Sequence, residues 1–253
     1  MTRLLRGVLV LACAVALAGC GASTIPPVHS ETERLALARR MMDDHRWASA
    51  IELLKSFVQN NPGSAQVDVG HYLLGLSYLR NRDYALSTGE FEQMIREYPE
   101  SDSTPSASFR LGEALFSQAR SPDFDQEQTA KAIDQFRSYL ATYPGHWLNP
   151  EADRQLNLAR SRIASKLLAN GRLYLSLRLG GPARVYFQRV RDEYGDTRLL
   201  GDALMGIAQC DALDKRVPQA IEQLRDVEAR FPGTELAQRA AKERARLEHK
   251  RRS

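Results

Sequence analysis

One stretch constrains this chain more than any other: residues 71–99, HYLLGLSYLRNRDYALSTGEFEQMIREYP. It reads as two short amphipathic helices joined by the polar turn Asn81-Arg82-Asp83. In the first helix, Leu74, Gly75 and Tyr78 share one side. Phe91 follows Gly75 by sixteen residues and Pro99 follows Phe91 by eight. The small residue lets the second helix approach, the aromatic fills the gap between them, and the proline ends the second helix.

The spacing recurs. Aligned on the closing residue, four further copies end at Pro62, Pro144, Gly195 and Pro232. Counting back eight and twelve positions gives Leu54 and Ala50, Phe136 and Ala132, Phe187 and Ala183, Leu224 and Ala220. The small residue of the first helix is Ala38, Gly112, Gly171 or Ala208, and only the third copy needs a gap, of eight residues. This pattern resembles the tetratricopeptide repeat, with Ser87 where alanine is usual. It implies an all-α fold, an α-α superhelix (solenoid) of about five repeats with a C-terminal capping helix. Each repeat then buries its apolar face against its neighbours.

The N-terminus carries a different signal. Arg3 and Arg6 precede an apolar run, residues 7–18, too short to span a bilayer as a stable helix, and small residues lead to Cys20. This is a secretory leader, residues 1–19. The ending Leu17-Ala18-Gly19-Cys20 resembles the bacterial lipobox, which implies that Cys20 carries lipid, palmitate included, and starts the mature chain. Gly21 rather than Asp at the next position implies sorting to the outer membrane, facing the periplasm. Removing the leader takes two arginines and no acid, so the formal charge of +4 falls by two and says little about nucleic acid. Cys13 leaves with the leader and Cys20 is consumed by lipid. Cys210 alone cannot make an intramolecular disulfide, so the fold stands on packing.

The expected organisation is a lipid-anchored tether over residues 20–30, repeats one to three over residues 31–150, and a second part over residues 151–253. Ser30 with Glu33 reads as a helix-capping pair, and Trp47 falls at the turn of repeat one. Repeat three carries the insertion, residues 121–128. No proline interrupts residues 151 to about 179, so one long helix is expected there, with Gly180-Gly181-Pro182 as its stop. A capping helix follows from residue 235 to about 246, and the basic end is expected to fray. From Arg239 to Arg252 there are seven Lys or Arg against Glu243 and Glu248. That run is open to two readings, a solvated helix end or a patch for anionic lipid or an acidic partner.

Catalytic chemistry finds no footing. The histidines at 29, 45, 71, 146 and 249 are dispersed, without metal-ligand spacing on one helix turn. There is no nucleophile elbow, and no glycine-rich loop follows a strand. The sequence therefore points to a binding protein, with no enzyme activity, metal or cofactor expected. Cys210, on an apolar helix, reads as a small core residue.

A leader with a lipobox, a short tether, five repeats, an insertion in the third and a long helix into the fourth together resemble the BamD family of outer-membrane β-barrel assembly lipoproteins. The nearest local match is FRLGEALFSQARSPDFDQEQTAKAIDQFRSYLATYP, residues 109–144. Two departures stand out: NNPGSAQ replaces the aromatic-rich turn after repeat one, and Gly195 stands for the usual proline. The resemblance implies a periplasmic scaffold for outer-membrane protein assembly. Its implied partners are the periplasmic modules of the barrel insertase, other assembly lipoproteins and unfolded barrel proteins, with no nucleic acid. It also places the insertase contact on repeats three to five, where the long helix offers Arg154, Arg160 and Arg162. The competing function is an envelope lipoprotein that coordinates peptidoglycan enzymes or acts as a secretin pilotin. Simple arrays of that kind lack the insertion and the long helix.

The groove-lining positions of this repeat class are the second, fifth, ninth and twelfth of each first helix. Repeat two supplies Val69, Tyr72, Leu76 and Leu79, and repeat three Ser106, Phe109, Glu113 and Phe116. Repeats four and five supply Ser165, Leu168, Arg172, Leu175, Asp202, Met205, Gln209 and Ala212. Val69, Tyr72, Leu76, Leu79, Phe109 and Phe116 are the expected floor of a groove for an extended apolar peptide. A helix apolar on both stripes is either covered or a binding surface; both readings are open at this stage.

Overall fold

The computed structural model describes residues 30–252 except 120, 122 and 123. The leader, Cys20 and the tether up to residue 29 lie outside the described residues. Within them the chain forms eleven α-helices and no strand. Repeat one is α1 (Glu31–Asp43) and α2 (Trp47–Asn60), and repeat two is α3 (Val67–Asn81) and α4 (Tyr84–Glu97). Repeat three is α5 (Thr104–Gln118) and α6 (Glu127–Thr142). Repeat four is α7 (Asn149–Ser176) and α8 (Gly180–Glu193), and repeat five α9 (Leu200–Leu213) and α10 (Val217–Arg230). The cap is α11 (Glu235–Arg252). The architecture is the all-α tetratricopeptide solenoid expected from the spacing.

The chain divides into two compact units between Glu90 and Phe91, inside α4. The expected partition at residue 150 falls instead in the first turn of α7.

In the first unit, α1, α2 and α3 close around Leu35, Ala38, Leu54, Phe57, Leu74 and Tyr78, each below a tenth exposed. Ser30 caps α1 through a reciprocal pair: its hydroxyl accepts from the Glu33 amide while the Glu33 carboxylate accepts from the Ser30 amide. Trp47, the first residue of α2, packs against this core and lies 5.3 Å from the His45 ring. Ser87 at the usual alanine position is fully buried, and its hydroxyl donates to the Gly75 carbonyl at 2.9 Å. The hydroxyl is tolerated because it is paired.

In the second unit the small-residue rule is visible atom by atom. A Cβ on Gly112 would fall 2.6 Å from the Phe136 ring, and one on Gly171 would fall 2.7 Å from Phe187. Phe187 is also met by Gly206 of the next repeat, where a Cβ would lie 2.6 Å away. Each ring thus occupies the volume that side chains on the facing helices would need.

Four repeats end their first helix alike. His45, Arg82, Arg178 and Lys215 adopt positive φ, between 58° and 69°. In each, that residue's amide and the following amide bond back into the helix: His45 to Met42 and Arg46 to Met41, Arg178 to Leu175 and Leu179 to Tyr174. Arg82 with Asp83 and Lys215 with Arg216 repeat the pattern. This is the Schellman closure, here without glycine.

Two sequence expectations are corrected. The long helix stops at Ser176, closed by left-handed Arg178, and Gly180-Gly181-Pro182 opens α8 rather than ending α7. Gly180 is there for space: a Cβ would sit 2.4 Å from the Asp214 carboxylate. The capping helix does not stop near residue 246 but continues through the basic end to Arg252.

Candidate functional site

No group of three or more His, Cys, Asp or Glu able to hold a metal occurs among the described residues. No described helix is long and apolar enough to cross a membrane. The surfaces that remain are helix faces.

In the first unit, Val69, Tyr72 and Leu76 are partly buried and pack against the repeat-one core, while Leu79 is only 7% exposed. The second stripe of α3 therefore already has a structural duty. In the second unit Phe109 is not a groove residue. It is fully buried, its ring 5.9 Å from Phe136 and 5.7 Å from Tyr139. The reason is register: Phe109 precedes Gly112 by three residues and so shares its packing side. Phe116 is half-buried beneath the Arg162 guanidinium, 4.0 Å from the ring centroid. Open apolar surface from the expected floor is thus confined to parts of Val69, Tyr72 and Leu76, with Phe116 roofed by a cation.

The three arginines of the long helix also part company. Arg154 is exposed and pairs with Glu151 one turn away. Arg160 holds the Asp196 carboxylate through Nε at 2.9 Å, donates to the Glu193 carbonyl at 2.7 Å and lies over the Tyr194 ring. Those bonds keep the Asp196 carboxyl below the usual carboxylate range. Arg162 donates to the carbonyls of Phe116 and Ala119, and burial lowers its pKa. Arg160 and Arg162 are braces inside the second unit rather than exposed handles.

The insertion has its own fastenings. Gln126, nearly buried, donates from its amide to the carbonyls of Ser121, Phe124 and Asp125 and accepts from the Thr129 hydroxyl. Lys166 of α7 donates to the Phe124 carbonyl. The insertion is therefore folded on itself by Gln126 and tied to the long helix at the Phe124 carbonyl, with Phe124 left 46% exposed. Trp147, between α6 and α7, is 72% exposed on a loop held by Asn149 bonding to the Tyr143 carbonyl.

Sequence reasoning missed a charge cluster between repeats four and five. Asp211, 3% exposed, accepts from Arg184 at 2.7 Å and Arg216 at 2.8 Å, and both arginines also reach Asp214. Its signal was present: an acid in the apolar run LGDALMGIAQCDAL must find a partner if the helix is buried. Beside it Cys210 is fully buried, and burial pushes its thiol up to about 11. It is a core residue, not a reactive one.

Comparison with known proteins places this architecture. A tetratricopeptide-repeat profile matches residues 35–102. The chain is 23% identical over 167 residues to outer membrane protein assembly factor BamD of Caulobacter vibrioides, covering 64% of this chain and 55% of that protein. It therefore spans about half the length of that relative. It is 25% identical to outer membrane protein assembly factor BamD of Vibrio cholerae, covering 71% of this chain and 79% of the other. Among solved structures, the TPR2AB domain of yeast Sti1 in its pHSP90 complex aligns at a TM-score of 0.43, with 14% identity over 85% of this chain and 86% of that one. The profile of the YfiO family, outer membrane lipoproteins, covers residues 76–215, which takes in the insertion and the whole of α7. The chain belongs to the YfiO family of outer membrane lipoproteins.

Proposed function

We propose that this protein is a lipid-anchored, periplasm-facing scaffold of outer-membrane β-barrel assembly, a BamD-like role. It holds the barrel insertase through repeats three to five and meets unfolded barrel proteins on repeat two. One observation carries the reading: the family match runs through the insertion and the long helix, the two elements that simple repeat arrays lack. The structure supports a mechanical purpose for that pair. Lys166 ties the insertion to α7, Arg162 ties the end of α5 to α7, and Gln126 folds the insertion on itself, so the second unit offers a braced surface with Phe124 and Arg154 outward. On repeat two the partly open Val69, Tyr72 and Leu76 are suited to weak capture. Burying one aromatic side chain of a client there contributes roughly 1.5–3 kcal/mol.

The test is affinity purification of the full-length protein from solubilised outer membranes, with Cys20→Ser as a second sample. A barrel insertase should co-purify with the lipidated protein, and Cys20→Ser should lose fatty-acid labelling and membrane attachment. Recovery of peptidoglycan enzymes or a secretin instead of an insertase would overturn the reading.

A further inference from the structure

We propose that the cavity bounded by the end of α7, α9 and α11 is a second peptide site, for an extended segment in which carboxylates alternate with apolar side chains. The cavity encloses about 540 Å³, within the range of ligand pockets, roughly 300–1,000 Å³. It lies wholly in the second unit and takes no residue from the repeat-two stripe.

Its floor is apolar: Leu175 from α7, Leu213 from α9 and Leu247 from α11. Three of the groove positions read from the repeat pattern, Leu175, Gln209 and Ala212, line it, so the groove of repeats four and five runs into this cavity. The Gln209 amide, with a donor and an acceptor end, suits the backbone of an extended chain.

Charge selects the occupant. The ionisable lining is Arg178, Arg246 and Lys250 against Glu243, and the Glu243 carboxylate is already held by Arg246. Arg178 is exposed and, among the described residues, has no acid within ion-pair distance. Arg244, on the same helix as Arg246 and Lys250, is by contrast answered within the chain: it binds Glu228 and Glu248, and Glu248 also takes Arg225. The lining thus carries three cations against one acid, beside an apolar floor. A carboxylate next to a leucine-like or aromatic side chain satisfies both at once. A lipid headgroup would use the cations but leave the recessed floor and the Gln209 amide without partners.

The backbone supplies a clean perturbation. Arg178 has φ +61°, a conformation glycine adopts freely. Arg178→Gly therefore removes the guanidinium while suiting the turn, and a failure to fold is not the expected outcome.

The experiment is fluorescence anisotropy with the full-length protein in mild detergent. The probe is fluorescein-labelled Gly-Ser-Glu-Leu-Asp-Leu-Glu-Phe amide, and the control has its three acids replaced by their amides. The acidic probe should bind with Kd on the order of 10–100 μM, as expected for a small wet site. Binding should weaken about ten-fold or more for the neutral control, for Arg178→Gly and for Arg178→Glu. Arg178→Lys, which keeps the charge, should recover most of it. Equal binding of acidic and neutral probes, indifference to Arg178→Glu, or no binding at about 1 mM would overturn the proposal. So would Arg178-dependent binding seen only with phosphatidylglycerol vesicles, which would make the patch a membrane contact.

Discussion

Phe187 offers the sharpest test of why this chain folds as it does. Its ring is 1% exposed, and it is met by two glycines, Gly171 of its own repeat and Gly206 of the next. Truncation by Phe187→Ala removes a fully buried aromatic and should cost about 3–5 kcal/mol. Gly206→Ala acts in two opposite ways. Alanine gains about 0.8–1 kcal/mol of helix propensity over glycine, but its methyl would fall 2.6 Å from the ring, an overpacking of about 1–3 kcal/mol. The net effect in the parent should be a loss of up to about 2 kcal/mol. In the Phe187→Ala background the clash vanishes and the propensity remains, so the same substitution should stabilise by about 1 kcal/mol. The change of sign, a coupling of about 1–3 kcal/mol, is the signature of a steric key. Urea unfolding followed by circular dichroism on the four proteins of the cycle measures it. If Gly206→Ala is equally harmful with and without the ring, glycine at this position is not there for Phe187.

Three further outcomes follow from the second unit. Asp211→Ala strands Arg184 without its buried carboxylate and should destabilise by about 3–5 kcal/mol, checked by the same unfolding experiment; a loss below about 1 kcal/mol would make the cluster a surface ornament. Asp196 has its native pKa depressed by the Arg160 hydrogen bonds, so its contribution to stability is fully present above the unfolded value near 3.9 and is lost as pH falls through the lower native value. Asp196→Asn should therefore lower the thermal midpoint at pH 7 and narrow its gap to the parent between pH 4 and pH 2; a gap independent of pH would contradict the pairing. Cys210, with its thiol raised to about 11 and no exposure, should stay inert to a disulfide reagent at pH 8 and react fully in urea, and rapid native labelling would refute its burial.

What was legible in the sequence was whatever the chain fixes by count. Gly112 with Phe136 and Gly171 with Phe187 meet as the repeat spacing requires, because both partners lie on helices whose register the polymer sets. Less legible was which side of a helix an aromatic takes. Phe109 occupies a groove position of the repeat, yet it stands one turn from Gly112 and is drawn into the ring cluster of Phe136 and Tyr139. The braces of α7 were invisible for another reason. Arg160 and Arg162 look like solvent-facing charges, and their partners, Asp196 and the carbonyls of Phe116 and Ala119, lie more than thirty residues away in the chain. Helix ends were misjudged at Gly180, where glycine serves close approach and an arginine takes the left-handed turn.

The four left-handed turns have a consequence for engineering. A residue with a Cβ in that conformation costs roughly 1–2 kcal/mol relative to the ordinary helical one, part of which glycine would return at the expense of a more flexible unfolded chain. Glycine at Arg82 or Lys215 should therefore raise stability by about 0.5–1 kcal/mol at each site, without disturbing a packed side chain. The array thus holds a thermostability reserve at its helix ends, and it is unequal. At Arg178 the exchange that relaxes the backbone also strips the cavity of its unanswered charge, so that turn alone sets durability against recognition.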